Sequence, residues 1–185
     1  MDFLQNVRNN IGFWLLAKNV KKLKRERAFN NLTTASSVGI FFDTSDNENV
    51  VAVISFAEEL TKQGITVNLL GKVINANVLK YFPKRDDLEL FSRADVTTFS
   101  GYPKAEVVNT FMSKDFDILI NLSIDKDDLC DNYIIGMSKA KLKVSAKLKS
   151  DDYADFILQL SPEKLRNTQK FIEYIKEYLS AFSKA

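Results

Sequence analysis

Two hydrophobic rhythms alternate along the chain. Over residues 2–28 the apolar positions recur at spacings of three, four and seven, which predicts a helix. Phe3, Leu4, Val7, Ile11, Trp14 and Leu15 share one face of it, and beyond Trp14 that face turns basic with Lys18, Lys21, Lys22 and Arg25. A second stripe, Phe13, Leu16, Val20 and Leu23, runs along the other side, and Gly12 marks a candidate bend. At residues 38–43 the rhythm changes to a short unbroken apolar run, VGIFFD, the pattern of a buried strand. Ser45 and Glu48 then stand at capping-box spacing before a helix whose Val50, Val53, Ile54, Ala57 and Leu60 face inward. Gly64 stops that helix and ITVNLLG, at 65–71, supplies the next strand. Strand, helix, glycine stop and strand make a βαβ unit.

The same grammar continues to the C-terminus. A short edge strand is expected at 88–91, and Pro103 suits the first residue of a helix reaching Ser113. FDILINLS at 116–123 reads as another buried strand, followed by a helix over 127–139 and strands at 141–146 and 154–160. Ser161-Pro162-Glu163 opens a last helix with Leu165, Phe171, Ile172, Ile175, Leu179 and Phe182 as its buried stripe. Apolar strands alternating with helices predict an α/β fold: an open, doubly wound, mainly parallel Rossmann-like sheet in the order 3-2-1-4-5 with a possible sixth strand. With 185 residues the chain holds one such domain, expected over 31–185, behind a basic N-terminal helix in residues 1–30.

Charge sharpens that division. Residues 1–30 carry seven Lys and Arg against Asp2 and Glu26, a local balance of +5, while the remainder carries −3. A basic arm on a mildly acidic body is expected to meet something anionic, through Lys18, Lys21, Lys22, Lys24, Arg25 and Arg27. A membrane surface, RNA and a protein partner all satisfy that expectation, as does a helix packed on the body with its lysines merely solvated. The order of apolar and basic segments at the start is the reverse of a secretory signal, and there is no run of about 18 apolar residues to span a bilayer. A single cysteine, Cys130, excludes an intramolecular disulfide, so a cytoplasmic location is expected.

The absence of histidine removes Ser-His-Asp and Cys-His catalysis and His-ligated metals. Neither glycine-rich phosphate-loop pattern occurs, and carboxylates flanking Cys130 disfavour its thiolate. No catalytic residue, cofactor or metal site is therefore expected. In a parallel sheet, ligands bind beyond the carboxyl ends of the strands at the switch point. Asp43, Thr44, Ser45 and Asn47 would lie there, faced by Asn121 and Ser123. They are candidates for a small-ligand site, for a nucleotide, sugar phosphate or Mg²⁺, but strand-end hydrogen bonds and a helix cap are the favoured reading, since Ser45 and Glu48 already serve the cap. Asp125, Asp127, Asp128 and Asp131 lack the glycine and glutamate of a calcium loop, and a solvated acidic helix start is expected there.

Several stretches together carry a family likeness. The Lys-rich start, Phe42-Asp43-Thr44 ahead of Asp46 and Glu48, Leu70-Gly71, Phe91-Ser92, Gly101-Tyr102-Pro103-Lys104, Phe116-Asp117-Ile118-Leu119-Ile120 and Ser138-Lys139-Ala140-Lys141 form the pattern. It resembles an uncharacterised family of small cytoplasmic proteins of Bacteroidota, a domain of unknown function. The resemblance covers most of the chain and implies a fold and a compartment without an activity. Ser145 stands where those relatives tend to have glycine. A weaker likeness, through the DILINL strand, is to the N-terminal half of heptosyltransferase-type glycosyltransferases. Those enzymes usually carry Asp where this chain has Asn121, and they add a second domain, so this likeness implies architecture alone.

Overall fold

The computed structural model describes residues 3–45, 47–74, 77, 82, 84–92, 95, 102–103, 106–123, 128–146, 153–159 and 167–181. Six strands form one sheet: β1 (Ser37–Asp43), β2 (Thr66–Val73), β3 (Leu88–Ser92), β4 (Ile118–Asn121), β5 (Leu142–Ala146) and β6 (Phe156–Leu158). Their order is β3-β2-β1-β4-β5-β6, and every neighbouring pair is parallel. The expected order is therefore observed, sixth strand included. VGIFFD and FDILINLS lie side by side at its centre, with Ile40 opposite Ile120 and Phe41 opposite Asn121.

A parallel sheet buries both faces, and alternate residues of β1 divide between two cores. Val38, Ile40 and Phe42 point to the layer formed by α2 (Asn47–Lys62) and α5 (Thr168–Ala181). There they meet Val53, Ala57 and Leu60 of α2 and Phe171, Ile175 and Leu179 of α5. Phe41 points the other way, toward α3 (Glu106–Ser113) and α4 (Leu129–Met137), among Phe111, Leu119, Ile134 and Ile135. Gly64, at φ 84°, makes the left-handed turn that ends α2 and lets the chain re-enter the sheet.

The N-terminal helix, α1, spans Phe3–Lys22, so it stops short of the expected residue 28. The chain then runs without helix to Asn31, because Arg25 turns inward and donates to the carbonyls of Ala140 (2.8 Å) and Lys141 (3.2 Å). Its other guanidinium nitrogen pairs with Asp155. The second stripe of α1 is the packed one: Leu16 is fully buried, Gly12 is buried, and Val20 and Leu16 lie over Gly136 of α4. A Cβ at Gly136 would come within 2.9 Å of Val20, so this glycine permits the close crossing of the two helices. Tyr102 adds a hydrogen bond from its hydroxyl to the Gly12 carbonyl (2.6 Å) and stacks on Tyr133 of α4. The side chains of Phe3 and Leu4, together with Leu165, Phe182 and the expected Ser161-Pro162-Glu163 start, lie outside the described residues.

Gly39, in the middle of β1, leaves room for the ring of Phe116; a Cβ there would sit 2.7 Å from that ring. Gly39→Ala is expected to lower stability by about 1–3 kcal/mol through overpacking. A urea titration checks this, and an unchanged midpoint would show that Phe116 moves aside at no cost.

Candidate functional site

The strands β1 and β4 are adjacent, yet their connections lead to opposite faces, α2 on one and α4 on the other. This is the switch point, and at its carboxyl end lies a buried polar cluster. Asp43, Thr44, Asn121, Ser123, Lys72, Asp131 and Ser145 are all buried. Asp43 pairs in register with Lys72, and Asn121 with Ser145, so the sheet sets these side chains in two adjoining rows.

The centre of the cluster is the ammonium group of Lys72, 2.6 Å from Asp131 and 3.1 Å from Asp128. Ser123 donates its hydroxyl to the other oxygen of Asp131 and lies 3.5 Å from Asp43. Asn121 orients that serine by accepting from its backbone N–H (3.0 Å), while its amide donates to Ser145 (3.2 Å). Thr44 stitches β1 to β2: its N–H donates to the Lys72 carbonyl and its hydroxyl accepts from the Ile74 N–H. Asp128 caps α4 by accepting from the Cys130 N–H at 2.8 Å.

Of the six strand-end candidates, the structure brings Asp43, Asn121 and Ser123 together. Thr44 serves the strand ends. Ser45, exposed, accepts from the Asn49 side chain (2.8 Å), and Asn47 is exposed on the first turn of α2. The acidic stretch departs from expectation. Asp131 is not solvated: it is 1% exposed, because it lies one turn before Ile134 and Ile135 on the buried side of α4. That spacing is the signal that would have found it in the sequence, together with Lys72 standing inside an apolar strand. Asp125 and Asp127 lie outside the described residues.

Burial works against the charge on Lys72, but Asp131 and Asp128 outweigh it and hold the ammonium above the usual lysine range. Burial pushes the Asp131 carboxyl up to about 7, against the pull of Lys72. The Lys72 ammonium at 2.6 Å and the Ser123 hydroxyl favour the charged carboxylate, and burial opposes them. Asp128, Cys130 and Asp131 place their ligand atoms within 4.8 Å of one another, a spacing that suits a metal ion. The ammonium group of Lys72 already bonds both carboxylates, however, and burial pushes the Cys130 thiol up, so it stays protonated.

A second lysine is buried as well. Lys143 of β5 is 2% exposed and donates to the Gly136 carbonyl at 3.0 Å. Burial first, and then the guanidinium of Arg25, draw its pKa down to about 7. The surface hollow lined by Arg27, Phe29, Lys141 and Phe156 lies at the amino end of β5 and β6, away from the switch point.

The basic candidates divide likewise. Lys18, Lys21, Lys22, Lys24 and Arg27 are exposed. Arg25, by contrast, is committed to Ala140, Lys141 and Asp155 and is unavailable to an outside anion. On the same outer face of α1, Val7, Ile11 and Trp14 are 41%, 48% and 62% exposed, with the Lys18 ammonium 5.3 Å from the centre of the Trp14 ring.

Fold and site thus define a Rossmann-like α/β protein with internal ion pairs at its switch point. The chain belongs to a family of unknown function, DUF6913, whose model matches residues 8–182. Among curated proteins there is no match. Among solved structures, the fold is similar to a glycosyl transferase family 9 protein from Veillonella parvula, at 14% identity and a TM-score of 0.51, over 81% of this chain and 43% of that one. The chain therefore spans less than half of that structure. The catalytic domain of Starch Synthase IV from Arabidopsis thaliana, bound to ADP and acarbose, aligns over 96% of this chain and 36% of its own, at 13% identity. Its TM-score of 0.42 is too low to carry an argument. The likeness to a glycosyltransferase half is one of architecture.

Lys72→Met would strand the carboxylate of Asp131 and is expected to cost about 3–5 kcal/mol, most of which Lys72→Met with Asp131→Leu recovers. Chemical denaturation of the two variants checks this; equal losses would show that the pair is not the unit. For Lys143 the sign follows from proton binding. The unfolded lysine holds its proton up to about 10.5, whereas the native one releases it near 7. The native state therefore gains stability as pH rises from about 7 to 10, and loses that gain as pH falls back. Melting curves across this window should show the rise in the wild type and a flatter profile in Lys143→Met; identical slopes would refute it.

Proposed function

We propose that this protein is a non-catalytic binding module of the cytoplasm that engages an anionic surface or partner through the outer face of α1. One observation carries the reading. The apolar line Val7, Ile11, Trp14 lies opposite the buried Leu16 and runs on into exposed Lys18, Lys21 and Lys22. A helix that only covered the body would need one apolar face, and α1 has two. Large exposed apolar residues aligned on one helix mark an interaction surface.

The competing reading is an enzyme or sensor that takes a nucleotide or sugar phosphate at the strand ends around Asp43 and Asn121. The switch-point position supports it. Against it stands the pairing of Lys72, a cation that could meet a phosphate, with two carboxylates. A thermal-shift panel of nucleotides and sugar phosphates separates the readings: stabilisation that Asp43→Ala abolishes would favour this second one.

For the first reading, the full-length protein and a Lys18→Glu, Lys21→Glu, Lys22→Glu variant are compared by affinity isolation from cell extract. The wild type should retain a bound species at low salt and release it near 1 M, where the screening length falls to about 3 Å. The variant should retain none. The same species on both proteins would overturn the proposal.

A further inference from the structure

We infer that the surface α1 engages is an anionic lipid bilayer, into which Val7, Ile11 and Trp14 insert while Lys18, Lys21 and Lys22 hold headgroup phosphates. The inference rests on the reading of α1 just proposed. At about 100° per residue, Val7, Ile11, Trp14 and Lys18 fall within roughly 60° of arc, with Lys21 and Lys22 on its flanks. The packed residues Gly12, Leu16 and Val20 lie on the opposite side, so the outer line stays free while the helix remains docked on α4.

Along this line the polarity changes with length. The apolar positions occupy about 10 Å of helix and the lysines about the next 12 Å, at about 1.5 Å per residue. A helix that fills a groove in a folded partner presents apolar anchors along its whole contact. Here the anchors stop at Trp14 and cations take over, a gradient that matches depth in a bilayer, from acyl chains to headgroups. Trp14 stands at the junction, with the Lys18 ammonium held over its ring. Indole and lysine are the side chains that bridge the apolar interior and the polar boundary.

Charge complementarity favours the same occupant. The segment 1–30 carries +5 and the rest of the chain −3, so an anionic surface attracts α1 and turns the body outward. Among the described residues no helix is long and apolar enough to cross a membrane, which makes the association peripheral. Of the seven large apolar residues exposed among the described ones, three lie on this line, while Phe29, Val51, Ile74 and Tyr178 are scattered.

Trp14 is the only tryptophan, so its fluorescence reports directly on insertion. Full-length protein is titrated with phosphatidylcholine vesicles and with vesicles containing about one-third phosphatidylserine, and co-flotation is measured in parallel. A blue shift and flotation are expected on the anionic vesicles alone, both reversed by salt. Each lysine removed should weaken partition about five-fold, so Lys18→Glu with Lys21→Glu should lose at least about 25-fold. Both positions are exposed, and unchanged circular dichroism confirms folding. Absence of shift and flotation on anionic vesicles at low salt overturns the inference. Heparin and single-stranded RNA serve as soluble polyanions. If they bind in a lysine-dependent manner and vesicles do not, the lipid inference falls and the broader reading of α1 stands. If neither binds and extract association is also insensitive to the lysines, both fall.

Discussion

A sheet whose strands all run parallel has no face to spare for water, and that constraint orders the rest of this molecule. The α2–α5 layer closes one side through the larger apolar cluster, and the α3–α4 layer closes the other. Alpha-helix α4 is short and rich in apolar residues all round, with Leu129, Ile134 and Ile135 buried and Gly136 facing outward from the sheet onto α1. It needs cover of its own, and α1 supplies it. The N-terminal helix is thus a third layer on that side, anchored by Leu16, by the Tyr102 hydroxyl and by Arg25. Once that cover is provided, the fold makes no further demand on Val7, Ile11 and Trp14, and their exposure calls for an explanation outside the domain.

The polar interior follows from the same layering. Where the helices α2 and α4 part to opposite faces, the strand ends leave backbone and side-chain groups that no regular hydrogen-bond ladder satisfies. The chain fills this place with partners from separate elements: Lys72 from β2, Asp131 from α4 and Asp128 from its N-cap, Ser123 after β4, and Asp43 from β1. Removing two charges from water is costly, and mutual pairing offsets that cost only when the geometry is close, as the 2.6 Å contact is. Such pairing gives the sheet and α4 one relative position, since sliding either would leave a buried charge alone.

Lys143 shows a different solution to the same problem. It is buried as Lys72 is, yet the nearest strong charges include the guanidinium of Arg25, and the carboxylate of Asp155 accepts from the Lys143 backbone N–H (2.9 Å) as well as pairing with Arg25. Burial and a like charge together weaken its hold on the proton, and its amino group donates to the Gly136 carbonyl. Two lysines of similar exposure therefore shift in opposite directions because of what surrounds them, and no property of the residue itself distinguishes them.

Much of the architecture was legible in the residues. VGIFFD, ITVNLLG and FDILINLS are apolar at both parities, which only a sheet covered on both faces accommodates, and the helix after Asp43 shows a clear periodic stripe. Gly64 marks its stop. The bounds of α1 were less legible, since the basic run after Lys22 continues helical spacing, while long-range bonds of Arg25, Ala28 and Asn30 hold that stretch against the sheet. The site was legible in part: Asp43, Asn121 and Ser123 follow from strand ends and topology. Lys143 and Ser145 did not, and although the positions of Lys72 and Asp131 carry a signal of burial, their pairing depends on a partner distant in sequence. The sequence by itself determined the layered class, the strand order and the charge asymmetry, because hydrophobic period and charge are local properties that chain connectivity carries directly into the fold. Only the tertiary structure decided which stripe of α1 is buried and which of the lysines and aspartates are paired, because these depend on which surfaces meet after the chain has closed.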